Sequence, residues 1–250
     1  MPIAAALSSL ATALRPRKGD QTRAAIVDAA LAMASREGLE GLTIGTLADQ
    51  MQMSKSGVFA HFGSREDLQL AVLKEYVQRF VAEVLKPAVK KPRGLPRLEA
   101  ILDRWVAFLA REITRGCIMI AGAVEYDDRP GPQRDQMVAI ITGWKAELLK
   151  AIRQAVAEGH LRPDVDANQM VFEVYGLMLA MHQDARLLRS ADSARRARTG
   201  LARLIAAARP ASASKSVQNA RGQRARSARR EAPIKPPGTK TQRALRKRGV

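Results

Sequence analysis

The chain has 250 residues, 46% of them apolar, with 42 Lys+Arg against 24 Asp+Glu and a formal charge of +18. That length and apolar content suffice for one sizeable core, or for a small domain joined to a larger one. The charge directs the molecule toward polyanions, of which nucleic acid and anionic membrane are the commonest.

The charge is unevenly spread. From Arg209 to Val250, 13 Lys+Arg face a single acid, Glu231, so net +12 of the +18 sits in the last 42 residues. A lone cysteine, Cys117, excludes an internal disulfide, and the histidines at 61, 160 and 182 are too scattered for a zinc site. In "MPIAAALSSLATALRPRK" the positive charges follow the apolar stretch, the wrong order for a secretory signal. The best apolar run, "CIMIAGAV", falls far short of the roughly 18 residues that span a bilayer. The expectation is a soluble, cytoplasmic protein with no membrane partner.

Residues 1–19 read as a flexible arm carrying the basic "RPRK" at 15–18. From Thr22, apolar Ile26, Ala29, Ala30, Met33 and Ala34 recur at helical spacing up to a stop at Gly38. Thr43 stands where an N-cap belongs, ahead of a short helix with Ile44, Leu47, Ala48 and Met51 on one face. "QMS" leaves room only for a turn before "KSGVFAHF", in which Val58, Phe59 and Phe62 are candidates to face inward. Ser64 and Asp67 form a capping box that opens a long amphipathic helix ending near Pro87. Past the basic linker "KPAVKKPRGLP", helices are predicted over 95–113, 117–126, 133–158, 168–188 and 193–208, broken by "DDRPGP" and "EGHLRPDVD". No stretch alternates long enough for a strand. The segment 209–250, rich in Ala, Arg, Pro and Ser, is predicted to be a disordered tail.

Two short helices joined by a tight turn and packed on a third make a helix-turn-helix, whose second helix offers its N-terminal side chains to the DNA major groove. Bulky groups at that tip would hold the helix off the base edges. Ser54, Lys55, Ser56 and Gly57 are small or hydrogen-bonding, and Lys55 can reach phosphate or guanine. Phe62 reads as an anchor in the core. Phe59 is left two uses, packing or lying against sugar or a thymine methyl.

The stretch "TRAAIVDAALAMASREGLEGLTIGTLADQMQMSKSGVFAHFGSREDLQLAVL" (22–73) resembles the DNA-binding domain of the TetR/AcrR family of bacterial transcriptional regulators. "GLTIGTLA", the serine-led helix, "HF" and the "SREDL" start of the fourth helix carry the likeness. The resemblance implies that Thr43 caps the second helix and touches a phosphate. It implies further that Ser54, Lys55, Ser56 and Gly57 lie at the groove, and that His61 and Arg65 meet backbone phosphate. Two positions depart from the family pattern. Members commonly carry Tyr where this chain has Phe59, and Gly where it has Gln52.

Beyond the motif, Trp105, Phe108, Cys117, Met119, Trp144, Tyr175 and Met178 are candidates to line an apolar cavity for an effector, the methionines giving adaptable walls. The neighbours of Cys117 are Gly116, Ile118 and Met119, which suggest burial and a structural thiol in preference to a redox sensor. No nucleophile elbow, P-loop or dinucleotide fingerprint occurs, so neither enzyme activity nor a cofactor or metal is expected.

The resulting reading is an all-α protein of about nine helices. Residues 20–66 form a helix-turn-helix domain, 67–208 a helical effector-binding and dimerisation domain, and 209–250 a basic tail. Its partners would be double-stranded DNA, a second copy of itself and a small-molecule effector. The faces Met170, Val174, Leu177, Met178 and Met181, and Leu201, Leu204 and Ile205, are expected to form the dimer interface. A competing reading makes the tail dominant and the protein a DNA-coating one.

Overall fold

The computed structural model describes residues 18–113 and 115–211, which form nine helices with no strand among them. Helix α1 (Lys18–Glu37) starts four residues ahead of the predicted Thr22, whose hydroxyl donates to the carbonyl of Lys18 at 3.1 Å. It buries Ile26, Val27, Ala30, Leu31, Met33 and Ala34 and stops at Gly38, which takes the left-handed φ of +82°.

Helix α2 (Ile44–Met51) is held at its start by a reciprocal capping box. The Thr43 hydroxyl accepts the Thr46 N–H, and Thr46 Oγ1 accepts the Thr43 N–H. The turn to α3 (Lys55–Phe62) runs through Gln52 at φ 53°, ψ 40°, with its N–H on the carbonyls of Ala48 and Asp49. A left-handed residue with a Cβ costs about 1–2 kcal/mol, which this turn carries because glycine is absent from it.

On α3, Val58 and Phe62 are buried four residues apart on one stripe, while Phe59, about 100° further round, is 52% exposed. Phe59 therefore does not face inward, which corrects the packing expectation.

Helix α4 runs unbroken over 65–88: α-helical Arg65–Phe80, a π turn Val81–Leu85, then Lys86–Ala88. It ends at Ala88, next to the predicted stop near Pro87. Proline has no N–H for the Glu83 carbonyl one turn back; Arg104 Nη1 reaches that oxygen at 3.4 Å, and the Lys86 N–H bonds Val81, five residues back. At the other end, Ser64 Oγ accepts the Asp67 N–H at 2.9 Å and donates to Asp67 Oδ2 at 2.6 Å. The predicted box closes on the hydroxyl of Ser64, Asp being one methylene shorter than the Glu that reaches a cap amide.

Helices α5 (Leu95–Glu112), α6 (Ile118–Glu125), α7 (Pro132–Ala157), α8 (Ala167–Arg186) and α9 (Ser193–Ala208) follow the predicted spans within two residues at each end. One buried cluster runs from Ile26 and Leu47 through Leu73 and Phe80 to Ile152, Met178 and Leu201, with no gap where α4 leaves the first three helices.

The predicted dimer faces need correction. Met170, Val174, Met178 and Met181, with Leu201 and Ile205, are buried in this chain's own core because α8 and α9 spend those faces on each other and on the bundle. What α8 leaves exposed is Phe172 (70%) and Leu179, with Gly176 between them at spacing four and three. The arm up to residue 17 and the tail beyond 211 lie outside the described residues.

Candidate functional site

Three places bear on function: the N-terminal tip of α3, an apolar cavity in the helical bundle, and the junction between them. At the tip, Ser54, Lys55, Ser56 and Phe59 are exposed and Gly57, Thr43 and His61 are half-buried. Ser54 caps α3 by accepting the Gly57 N–H at 3.0 Å, and its Oγ lies 3.2 Å from that of Ser56. The Lys55 side chain passes over the start of α2, its Cε 3.4 Å from where a Cβ on Gly45 would sit. Beside His61, the guanidinium of Arg23 stacks 4.8 Å above the Phe62 ring.

Arg65, although 42% exposed, folds back onto the α1–α2 loop. Its Nε donates to the Leu42 carbonyl at 2.8 Å, and its Nη2 to the Glu40 carbonyl at 2.5 Å and Glu40 Oε2 at 3.1 Å. It staples the α1–α2 loop to the start of α4, supplying donors to carbonyls that no helix satisfies.

That loop is also where the rest of the molecule takes hold of the first helices. Glu125, the last residue of α6, accepts the Leu39 N–H at 2.9 Å and the Glu40 N–H at 3.3 Å on one carboxylate oxygen. Tyr126 donates its hydroxyl to Glu40 Oε1 at 2.5 Å, and Arg129 stands 3.8 Å from Glu40 Oε2. Gln69 Nε2 donates to the Leu39 carbonyl at 2.6 Å and is itself held by Gln133 Nε2, 2.9 Å from its Oε1.

The Tyr126 hydroxyl, with Arg65 and Arg129, holds the Glu40 carboxyl below its ordinary range, while burial and the Glu40 charge push the Tyr126 phenol up. Next to this network Gly116, at φ +97°, presses its backbone onto the Ser35 carbonyl of α1. A Cβ there would stand 1.6 Å from that oxygen, so only glycine fits.

The cavity lies among α4, α5, α6, α7 and α8. Its walls include Trp105, Cys117, Met119, Trp144, Tyr175 and Met178, together with Tyr76, Val77, Phe80, Ile120, Ile140, Ile141 and Leu179. Phe108 is not among them. It stands behind the wall, edge-on to Tyr76 (5.8 Å) and Phe80 (5.2 Å), and faces a separate charged cleft with Arg79, Arg111 and Glu112.

Tyr76 and Phe80, one turn apart on α4, are the aromatic walls among those that the sequence reading misses. Their aromatic i, i+4 spacing was the available signal, but the same spacing marks any core face. Tyr76 OH and Cys117 Sγ lie 3.4 Å apart, and burial pushes both groups above their ordinary pKa. The thiol is thereby kept from the thiolate form that oxidants attack. Trp144 packs edge-to-face on Trp105 (4.9 Å) and Phe80 (4.7 Å), and its buried indole N–H has no acceptor among the described residues.

The remaining histidines have structural settings. His160 Nδ1 accepts the Leu95 N–H at 3.2 Å, capping α5 where Gly94 offers no side chain. His182 is buried on α8, its pKa lowered by burial and by Arg186. No group of His, Cys, Asp or Glu able to hold a metal ion occurs among the described residues, nor is any helix there long and apolar enough to cross a membrane.

Two family models match, "Bacterial regulatory proteins, tetR family" over residues 26–72 and "Tetracyclin repressor-like, C-terminal domain" over 94–201. The chain belongs to the TetR family of transcriptional regulators. The TetR structures it resembles include a transcriptional regulator from Chloroflexus aurantiacus, 27% identical with TM-score 0.66, covering 76% of this chain and 96% of the other. A TetR-family regulator from Cytophaga hutchinsonii is 21% identical with TM-score 0.68, covering 78% and 98%. A ketosteroid transcriptional regulator of Mycobacterium tuberculosis is 17% identical with TM-score 0.59, covering 76% and 95%. No curated protein sequence matches. In TetR terms, the helix-turn-helix match runs from α1 into the first half of α4, and the C-terminal-domain match from α5 to the middle of α9.

Proposed function

We propose that this TetR-family regulator is a homodimeric repressor that leaves a palindromic operator when a small molecule enters the α4–α8 cavity. The observation that carries the DNA-binding half is the tip of α3. Ser54, Lys55, Ser56 and the unburied ring of Phe59 project together from a capped helix start, where a major groove accepts side chains. Thr43, Gly57 and His61 flank that face, and in this reading the first and last contact phosphate. Arg65 enters this reading as the group that sets the angle of α4, its guanidinium being spent on Leu42 and Glu40. Phe59, exposed where the family commonly has Tyr, serves as an apolar contact to sugar or thymine methyl.

A single helix-turn-helix makes too few contacts for operator specificity, so two copies reading half-sites one turn apart complete the reader. The exposed Phe172–Gly176–Leu179 stripe of α8 is the surface we assign to that pairing. The effector half rests on the α6 connection. Cys117, Met119 and Ile120, at its start, line the cavity, and Glu125 and Tyr126, at its end, hold the α1–α2 loop. A ligand that prefers a displaced α6 would shift the loop, and with it the spacing of the two α3 helices; tight binding without such a preference would shift nothing. Residues 20–66 and 67–208 are the functional divisions of this scheme, which involves no catalysis and places the protein in the cytoplasm.

The test is retention of random DNA duplexes at near-physiological salt by the full-length protein and by a 1–208 truncation, followed by sequencing. Both should select one palindrome. If only the full-length chain binds and no sequence is enriched, the basic tail is the main DNA-binding element and the repressor reading falls.

A further inference from the structure

The chemistry of the cavity narrows what can occupy it. None of its wall residues is charged. An ion placed inside would lose its hydration with no counter-charge, a cost of several kcal/mol that shape complementarity does not offset. One cation, Lys145, sits outside the wall, its Nζ 4.6 Å from the Tyr175 ring centroid.

Among the polar groups of the wall, Tyr76 and Cys117 satisfy each other. The Trp144 indole N–H does not: it is buried and has no acceptor among the described residues. A buried donor left unmet costs about 1–3 kcal/mol, and native structures seldom keep one without a use. The ring that carries it is fixed edge-to-face between Trp105 and Phe80, so the donor is held in place.

Size adds a second constraint. The cavity volume is about 60 Å³, below the roughly 150 Å³ of an apolar cavity that admits benzene. The deep walls are buried, but Met119, Ile120, Ile141 and Tyr175 are only half-buried and Leu179 is exposed. Met119, unbranched and flexible, is the side chain of the mouth that gives way to a guest.

We propose that the cavity binds a neutral, mostly apolar molecule bearing a hydrogen-bond acceptor, such as a carbonyl or ether oxygen, which takes the Trp144 indole N–H. This deepens the effector reading and rests on it. The acceptor supplies the missing partner, the apolar body displaces Met119 at the mouth, and charge is excluded.

Three probes of similar size separate the terms: acetophenone, which has an acceptor; ethylbenzene, which has none; and benzoate, which is charged. Their binding to the full-length protein and to Trp144→Phe is followed by ligand-observed proton NMR titration at neutral pH, with no DNA present. Trp144→Phe should weaken acetophenone by about fivefold or more, the worth of one net hydrogen bond. Ethylbenzene should bind both proteins within about twofold, which also shows that the variant keeps its folded cavity. Benzoate should bind on the order of a hundredfold more weakly than acetophenone.

If acetophenone loses no more than ethylbenzene does, or benzoate matches acetophenone, the proposed ligand class is wrong while the effector reading stands. If none of the three binds, both fall. If ethylbenzene binding also collapses in Trp144→Phe, Trp144 acts through packing and its donor role is overturned.

Discussion

The carboxylate of Glu125 accepts the backbone N–H of Leu39 at 2.9 Å, joining residues 86 apart in sequence. One side of that bond is the end of α6, whose first turn lines the cavity; the other is the loop between α1 and α2. Charge-assisted bonds to backbone amides are among the stronger ones, and Glu125 holds two, yet it is only half-buried, so water competes for its oxygens. Glu125→Ala is expected to lower unfolding stability by about 1 kcal/mol and to speed hydrogen exchange at the Leu39 and Glu40 amides while the α5 and α7 amides keep their protection. Unchanged exchange at those two amides would show that Glu125 does not hold the loop.

Glu40 should make the same loop sensitive to acid. Its hydrogen bond from Tyr126, with Arg65 and Arg129 nearby, lowers its pKa in the folded protein below the ordinary 4.5. The stability this confers is present in full above 4.5 and is lost as pH falls through the lowered folded value. The side chain is 41% exposed, so solvent screens the effect and the contribution is small. Urea midpoints measured from pH 6 down to pH 3 should therefore fall less steeply for Glu40→Gln than for the unaltered protein. Parallel curves would mean that the Tyr126 bond does not favour the ionised carboxylate.

How far the sequence discloses the protein depends on the range of the interactions. Thr43 and Ser64 announce their helix starts because a cap acts over three residues, and both are N-caps in the structure. Helical periodicity places Val58 and Phe62 in the core, but the same stretch misplaces Phe59, since an aromatic beside two buried positions gives no local sign of facing out. On α8, periodicity finds the apolar stripe of Met170, Val174, Met178 and Met181 without saying whether it meets this chain or a second one. The Glu125–Leu39 and Tyr126–Glu40 hydrogen bonds were illegible, because a carboxylate at a helix end has many nearer partners available to it. Arg65 shows the limit of motif reading: its position is conspicuous, and its hydrogen bonds turn it toward Leu42.

The different settings of Lys55 and Arg65 should separate them in DNA binding. Lys55 is exposed at the tip of α3, and Arg65 is hydrogen-bonded to two loop carbonyls. Lys55→Ala should weaken binding and reduce the slope of log affinity against log salt by about 0.9, as expected when one phosphate is no longer neutralised. Arg65→Ala should leave that slope nearly unchanged and lower the urea midpoint, at a cost of about 1 kcal/mol. A fall in slope for Arg65→Ala equal to that of Lys55→Ala would return Arg65 to the phosphate-binding set.

Gln52 holds a left-handed conformation in the turn between α2 and α3. Glycine adopts φ near +53° without a Cβ penalty, although it also gives the unfolded chain more freedom. The balance favours Gln52→Gly by about 0.5–1 kcal/mol, read as a higher urea midpoint with an unchanged m-value. A lower midpoint would mean that the Gln52 side chain makes compensating interactions.

The outer stripe of α8 supplies the last expectation. Phe172 is 70% exposed and shares its face with Leu179, and the opposite side of the same helix is already spent on the core. A surface phenylalanine in that position is best explained by a second helix laid against it, and the absence of a side chain at Gly176 lets a partner approach closely. Phe172→Asp puts a charge on that face of both copies at once, so a two-fold interface meets the penalty twice while the monomer core is untouched. Sedimentation should then show a shift from dimer to monomer at micromolar concentration, with circular dichroism still fully helical and palindrome binding abolished. A variant that remains dimeric would move the interface elsewhere and leave Phe172 without an assigned partner.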